Sequence, residues 1–166
     1  MRLSVRRPAR SFRNRRPTQR SRDAHLIVFR RSREQWVSIM KHSPGFLALV
    51  EAATKSVRSC SAATVSSRLA RGDSLVFVDV REDGEFAVDH ASGARHIGRG
   101  VIERDIESLV PDHAAEIVLY CGGGFRSTLA AESLGKMGYR NVWSMDGGIR
   151  AWREAGYPLQ RGQGQS

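Results

Sequence analysis

Short apolar runs alternate along this chain with stretches that are apolar on one side only. Five runs have the length of a strand, at residues 57–60, 75–80, 94–97, 117–120 and 141–145. Those at 75–80 (Leu-Val-Phe-Val-Asp-Val) and 117–120 (Ile-Val-Leu-Tyr) are nearly continuous, as suits strands covered on both faces. Between them lie helical patterns. Phe46, Leu49, Val50 and Ala53 share one face of a helix over 46–54. Ser61 can cap a helix over 62–70, which Gly72 stops. Residues 83–88 make one or two helical turns, and Ser92-Gly93 is a turn. Ile102, Ile106 and Leu109 mark a helix over 101–109, closed by Pro111. Leu129, Ala130, Leu134 and Met137 mark another, ended by Gly138, and a last helix over 149–155 is ended by Gly156. Strands alternating with helices predict an α/β fold, with a parallel sheet of five strands flanked by helices on both faces. The expected domain covers 46–159, preceded by a basic, disordered tail at 1–41 and followed by a disordered Gln/Gly/Ser-rich tail at 160–166.

The candidate chemistry sits where the fourth strand ends. Ile-Val-Leu-Tyr runs into Cys121, then Gly122, Gly123, Gly124, Phe125, Arg126 and Ser127. Three glycines let the backbone turn its N–H groups into one concavity, an anion-binding nest. The helix that follows adds unpaired N–H groups and a partial positive charge. Arg126 adds a full one. Helix N-termini and neighbouring arginines are the settings in which cysteines become reactive thiolates. The pattern reads as a nucleophilic Cys121 in an anion cradle; the bland alternative is a buried structural cysteine before a tight glycine turn. Arg81 and the Asp146-Gly147-Gly148 turn also follow strands, so all three should share the carboxyl edge of the sheet, where such sheets bind ligands.

Charge changes the picture only at the N-terminus. The net charge is +10 and the pI about 10.9, but residues 1–41 hold thirteen basic and two acidic residues. Residues 42–166 hold fourteen basic and fifteen acidic ones, a balance of −1. The basic segment reads as a plain tail, as a mitochondrial or plastid transit segment, or as sequence upstream of a true start at Met40. A helix around Trp36 is expected at 23–39. A nucleic-acid role rests on this segment alone and is not favoured, because Phe12 is the only aromatic residue in its first 22 positions. Two cysteines, Cys60 and Cys121, are too few for a disulfide framework and show no metal spacing. Cys60 reads as a small buried apolar residue. A free reactive cysteine fits a reducing compartment, so the cytoplasm is the expected location unless the basic start is a transit segment. No apolar run reaches the length of a membrane span.

These residues resemble the single-domain rhodanese-like sulfurtransferases. The resemblance covers roughly 46–159 and rests on Asp79-Val80-Arg81-Glu82, His90-Ala91-Ser92-Gly93-Ala94, residues 120–127, and Met145-Asp146-Gly147-Gly148 followed by Trp152. The second stretch departs from the family's Gly-His-Ile-Pro-Gly-Ala at Asp89, Ala91 and Ser92, and His90 reads as structural. The resemblance implies a persulfide carried by Cys121 and an active loop of Gly122, Gly123, Gly124, Phe125 and Arg126. Four residues separate Cys121 from Arg126, whereas cysteine phosphatases of related fold have five. The smaller loop suits a sulfane sulfur better than a tetrahedral phosphate.

The implied chemistry is sulfur transfer. Thiosulfate or a persulfide donates, a thiol or cyanide accepts, and a persulfide-exchanging protein is a further candidate partner. Arg126 would pair with the donor anion and Phe125 line the mouth. Arg81 is counted with the substrate-binding residues Gly122 to Arg126, and would either orient the loop through a carboxylate or form a simple salt bridge. Asp79 and Asp146 would bond loop N–H groups. No metal, nucleotide or organic cofactor is indicated. The alternative reading is a carrier module that delivers persulfide to a protein partner without turning over free thiosulfate.

Overall fold

A computed structural model describes residues 42–162 of the chain. The expectations for residues 1–41, the helix around Trp36 among them, and for the end of the C-terminal tail lie outside the described residues. The elements run α1 (Pro44–Thr54), β1 (Arg58–Cys60), α2 (Ala62–Ala70), β2 (Val76–Asp79), α3 (Asp83–Val88), β3 (His90–Ala91), β4 (Arg95–His96), α4 (Ile102–Leu109), β5 (Ile117–Tyr120), α5 (Phe125–Lys136), β6 (Val142–Met145), α6 (Gly148–Glu154) and β7 (Leu159–Gln160). Helix starts follow local chemistry. The Ser43 and Ser61 hydroxyls accept the N–H groups of Phe46 and Thr64 at 3.3 and 3.1 Å. No helix among the described residues is long and apolar enough to cross a membrane.

Five strands form one sheet in the order β1-β6-β5-β2-β4, with every neighbouring pair parallel. Side chains alternate across it. Val78, Ile117 and Leu119 pack with Ile102, Ile106, Ala130 and Leu134 on one face. Phe77, Val118 and Tyr120 pack with Val65, Ile149 and Trp152 on the other. Burial on both faces is why these strands are apolar without a break. From β2 the chain runs outward to β4, then returns to the other flank as β5 and β6. The strand order therefore reverses between β2 and β5, and the crevice beyond their carboxyl ends is the natural ligand site.

The sequence reading misses a second, two-stranded sheet. β7 pairs antiparallel with β3, placing His90 opposite Gln160 and Ala91 opposite Leu159. The Trp152 Nε1–H donates to the Pro158 carbonyl at 2.9 Å and anchors the approach. Order thus continues into Gln160, past the point where a disordered tail was expected. Two-residue strands have no readable period, so nothing in the local pattern announces them.

The turn after β2 is locked by a buried ion pair. Asp79 Oδ1 accepts the Arg81 N–H at 2.9 Å, and its carboxylate also takes the Arg81 guanidinium at 2.7–3.0 Å. The Asp79 and Arg81 side chains are 0% and 4% exposed. The same guanidinium donates to the Asp89 carbonyl at 2.6 Å. Asp79 therefore bonds a loop N–H, as expected. Removing one partner of such a pair strands the other charge in the interior and costs about 3–5 kcal/mol. Arg81→Ala is expected to lower the unfolding free energy in urea by roughly that amount. Arg104→Ala breaks the solvent-exposed pair with Asp105 and should cost far less. Equal losses in the two variants would reduce the buried pair to an ordinary surface bridge.

Candidate active site

β5 delivers Cys121 to the sheet edge with its side chain on the face of Leu119 and Ala130, and only 2% of the residue is exposed. Its sulfur does not face hydrocarbon alone. The Gly124 N–H donates to Sγ at 3.2 Å, and the Ser127 hydroxyl lies at 3.8 Å. Gly124 caps α5 with a φ of +105°, a conformation strained for any other residue. No side chain caps this helix, so the N–H groups of its first turn remain directed at the loop. The Gly124 carbonyl points the other way. It accepts from the Thr128 N–H at 3.0 Å, the Thr128 hydroxyl at 2.9 Å and the Ser127 hydroxyl at 2.9 Å. Ser144, near the end of β6, braces Ser127 at 2.8 Å.

The turn after β6 holds the loop from the far side. The Ile149 N–H donates to the Cys121 carbonyl at 2.8 Å, and the Arg150 N–H to the Gly122 carbonyl at 3.4 Å. A Cβ on Gly148 would overlap the Cys121 carbonyl, with the Cys121 and Gly122 carbonyl carbons at 2.9 and 3.0 Å. Gly148 also has a φ of +55°. The Asp146-Gly147-Gly148 turn is thus a platform that only glycine permits. The Asp146 carboxylate itself accepts from the Ser59 hydroxyl at 3.1 Å and bonds no loop N–H, which corrects that expectation.

Arg126, on the first turn of α5, reaches across the crevice to α3. Its guanidinium grips Glu85 in a fork at 2.6 and 3.0 Å, with Glu82 at 3.5 Å. This hydrogen-bonded pairing holds the Glu85 carboxyl below its ordinary value and raises Arg126 further above its own. Glu85 also accepts the Glu82 N–H at 3.2 Å, capping its own helix. The guanidinium lies against the loop, with Nη2 3.3 Å from where a Cβ on Gly122 would stand. Phe125 turns toward α1, edge-on to Phe46 with ring centroids 6.1 Å apart. It lines a cavity of about 200 Å³ together with Gly123, Gly124, Val50 and Thr54.

The structure therefore brings Cys121, Gly122, Gly123, Gly124, Phe125 and Arg126 together around one turn. Arg81 is not among them. Its side-chain hydrogen bonds go to Asp79 and Asp89, so the salt-bridge reading stands, and the expectation that it binds substrate is corrected. His90 stacks on Phe86 at 3.8 Å, and its Nδ1 lies 3.2 Å from the Phe86 carbonyl oxygen, away from Cys121. Burial, and then the nearby Asp146 charge, push the Cys60 thiol up to about 11, which fits an inert apolar residue. Sequence reasoning missed three groups: Glu85, the hydroxyls of Ser127 and Ser144, and Arg150. Glu85 had a signal in the Glu82-x-x-Glu85 spacing at a helix start. Ser127 stands at the end of the loop motif itself, whereas Ser144 and Arg150 had none, since long-range packing alone brings them to the loop.

The rhodanese-like domain family model matches residues 61–155. The thiosulfate sulfurtransferase GlpE of Pseudomonas fluorescens is 35% identical over 94 residues, covering 57% of this chain and 84% of that protein. Among solved structures, a thiosulfate sulfurtransferase from Pseudomonas aeruginosa superposes with a TM-score of 0.60 at 30% identity, over 64% of this chain and 20% of that one. A Rhodopseudomonas palustris protein of unknown function, named as a possible tyrosine phosphatase, gives 0.66 at 29% identity, over 72% and 97%. The family match takes in the segment from α2 through α6, the Cys121 loop included, and exceeds half of the sequence. By that extent of likeness the chain belongs to the rhodanese-like domain family.

Proposed function

We propose that this protein is a sulfurtransferase that moves a sulfane sulfur from thiosulfate or a persulfide donor to a thiophilic acceptor through a persulfide on Cys121. One observation carries the reading: the Gly124 N–H already points at Cys121 Sγ, at 3.2 Å, from the tip of a helix without a capping side chain. Sulfur bearing negative charge in that place is stabilised by donors that need no rearrangement. The relatives named as thiosulfate sulfurtransferases support the same reaction class.

In the first half-reaction the Cys121 thiolate attacks the outer sulfur of thiosulfate. A Cys121–sulfur bond forms, the bond from outer sulfur to the sulfonate breaks, and its electron pair leaves with sulfite. In the second, an acceptor thiolate or cyanide attacks the terminal persulfide sulfur, and the electron pair of that S–S bond returns to Cys121. The burial of Cys121 suits this sequence. A persulfide extends the side chain by about 2 Å, carrying the reactive sulfur out of the apolar layer toward the amides of Gly122 to Arg126. Arg126, braced by Glu85, holds the start of α5 in position. Four residues between Cys121 and Arg126 leave a ring suited to one sulfur atom, which argues against phosphate.

Incubation with thiosulfate is expected to add the mass of one sulfur atom, and cyanide to remove it as thiocyanate. Cys121→Ser should abolish the gain; a gain that survives the substitution would sink the assignment. Phosphate-ester hydrolysis should be absent from the same preparation. Iodoacetamide at pH 8 is expected to label Cys121 and spare Cys60, whose thiol stays protonated well below pH 11. Peptide mapping that finds both cysteines labelled at similar rates would remove the distinction between them.

A further inference from the structure

Two guanidinium groups touch the Cys121 loop, and their charge balance differs. Arg126 is gripped by Glu85 and approached by Glu82, so its side of the rim carries two carboxylates against one cation. Arg150, on the first turn of α6, meets the loop one residue further on, at Gly123. Its guanidinium packs on bare backbone at Gly123, with Cζ and Nε 3.1 and 3.3 Å from the position of a Cβ there. It has neither ion pair nor side-chain hydrogen bond among the described residues, and it is exposed. Its backbone N–H is held 3.4 Å from the Gly122 carbonyl, so the helix aims this side chain at the loop.

We propose that Arg150 is the specificity-determining residue for anionic sulfur donors, binding the sulfonate end of a thiosulfonate-type donor while Cys121 takes the outer sulfur. The proposal rests on the sulfurtransferase reading above. A dianion is repelled by Glu82 and Glu85 and drawn to the unpaired cation at Gly123. The planar guanidinium presents paired N–H donors that match two sulfonate oxygens. Gly123 is what makes this geometry available. A side chain there would occupy the space of the guanidinium, so the contact exists only because position 123 is glycine. A displaced Arg150 is the predicted consequence of Gly123→Ala. The φ at Gly123 is not positive, so the backbone tolerates alanine, and only a flexible side-chain tip stands in its way.

The test measures two quantities on the full chain. The first is the alkylation rate of Cys121 by iodoacetate, an anion, divided by its rate with neutral iodoacetamide. The second is kcat/KM for thiosulfate, a dianion, and for benzenethiosulfonate, a monoanion. Arg150→Ala is expected to lower the alkylation ratio and the thiosulfate value by roughly tenfold each, and the benzenethiosulfonate value by less. Arg150→Lys should keep most of the alkylation ratio, which reads charge alone, and less of the thiosulfate value, which also reads the paired donors, and Arg104→Ala should change neither. Gly123→Ala should reproduce the loss, and combining it with Arg150→Ala should add little, because both act through one contact. If Arg150→Ala leaves the alkylation ratio and thiosulfate turnover unchanged in a protein that forms the persulfide, the proposal is overturned. If the ratio depends on Arg150 but no persulfide forms, the anion site stands and the sulfur-transfer reading falls. Independent, additive losses from Gly123→Ala and Arg150→Ala would also refute the shared contact.

Discussion

The backbone conformation of one residue governs the candidate site. Gly124 must present its N–H to Cys121 Sγ and its carbonyl to Ser127 and Thr128, and a φ of +105° achieves both at once. Reversing the peptide that joins Gly123 to Gly124 would turn the Gly123 carbonyl oxygen toward the sulfur and repel any charge on it. The surrounding structure is arranged to prevent the reversal. Ser144 reaches in from β6, the Ile149 and Arg150 N–H groups hold the Cys121 and Gly122 carbonyls, and α5 propagates from Gly124 itself. Rigidity of this kind matters because dipoles fixed in advance stabilise charge without reorganising when it appears.

Three arginines near the carboxyl edge of the sheet show how burial and pairing divide one residue type among separate tasks. Arg81 is enclosed with Asp79 and fixes the turn after β2. Arg126 is half-buried and spans the crevice where the strand order reverses, tying α5 to α3 through Glu85. Glu85 is shared between that bridge and the first turn of its own helix, so the position of Arg126 is coupled to the integrity of α3. Arg150 is exposed and unpaired among the described residues. Only the last has its full charge available to something that arrives from solvent.

Much of this arrangement was legible in the sequence, for identifiable reasons. The buried strands announce themselves because both faces are covered, which forces uninterrupted apolar runs such as 117–120. The loop announces itself because three successive glycines before a helix are rarely needed for packing alone. What escaped were properties of distance. Arg126 was expected at the loop and stands there, but its pairing with Glu85, forty-one positions earlier, is not displayed by the linear order. Arg81 looked equally able to brace the loop, and only its burial beside Asp79 decides between the readings. The short pairing of β3 with β7 escaped because two residues contain less than one full alternation.

The charge distribution sharpens the role assigned to the loop. The strongly basic composition belongs to residues 1–41, while residues 42–166 balance to −1. A dianionic donor approaching a domain of that charge meets no general attraction, and at physiological ionic strength exposed charges act over about 8 Å. Selection among donors must therefore come from the few groups at the rim. Glu82 and Glu85 make the rim acidic at Arg126, and a lone guanidinium stands at Gly123. On the proposed sulfur-transfer reading, such a field orients a small ion as well as attracting it, with the anionic end drawn to Arg150 and the sulfane sulfur left for Cys121. A site that discriminates by this local dipole needs only one arginine in the right place. The loop can then remain glycine, free to direct its amides inward.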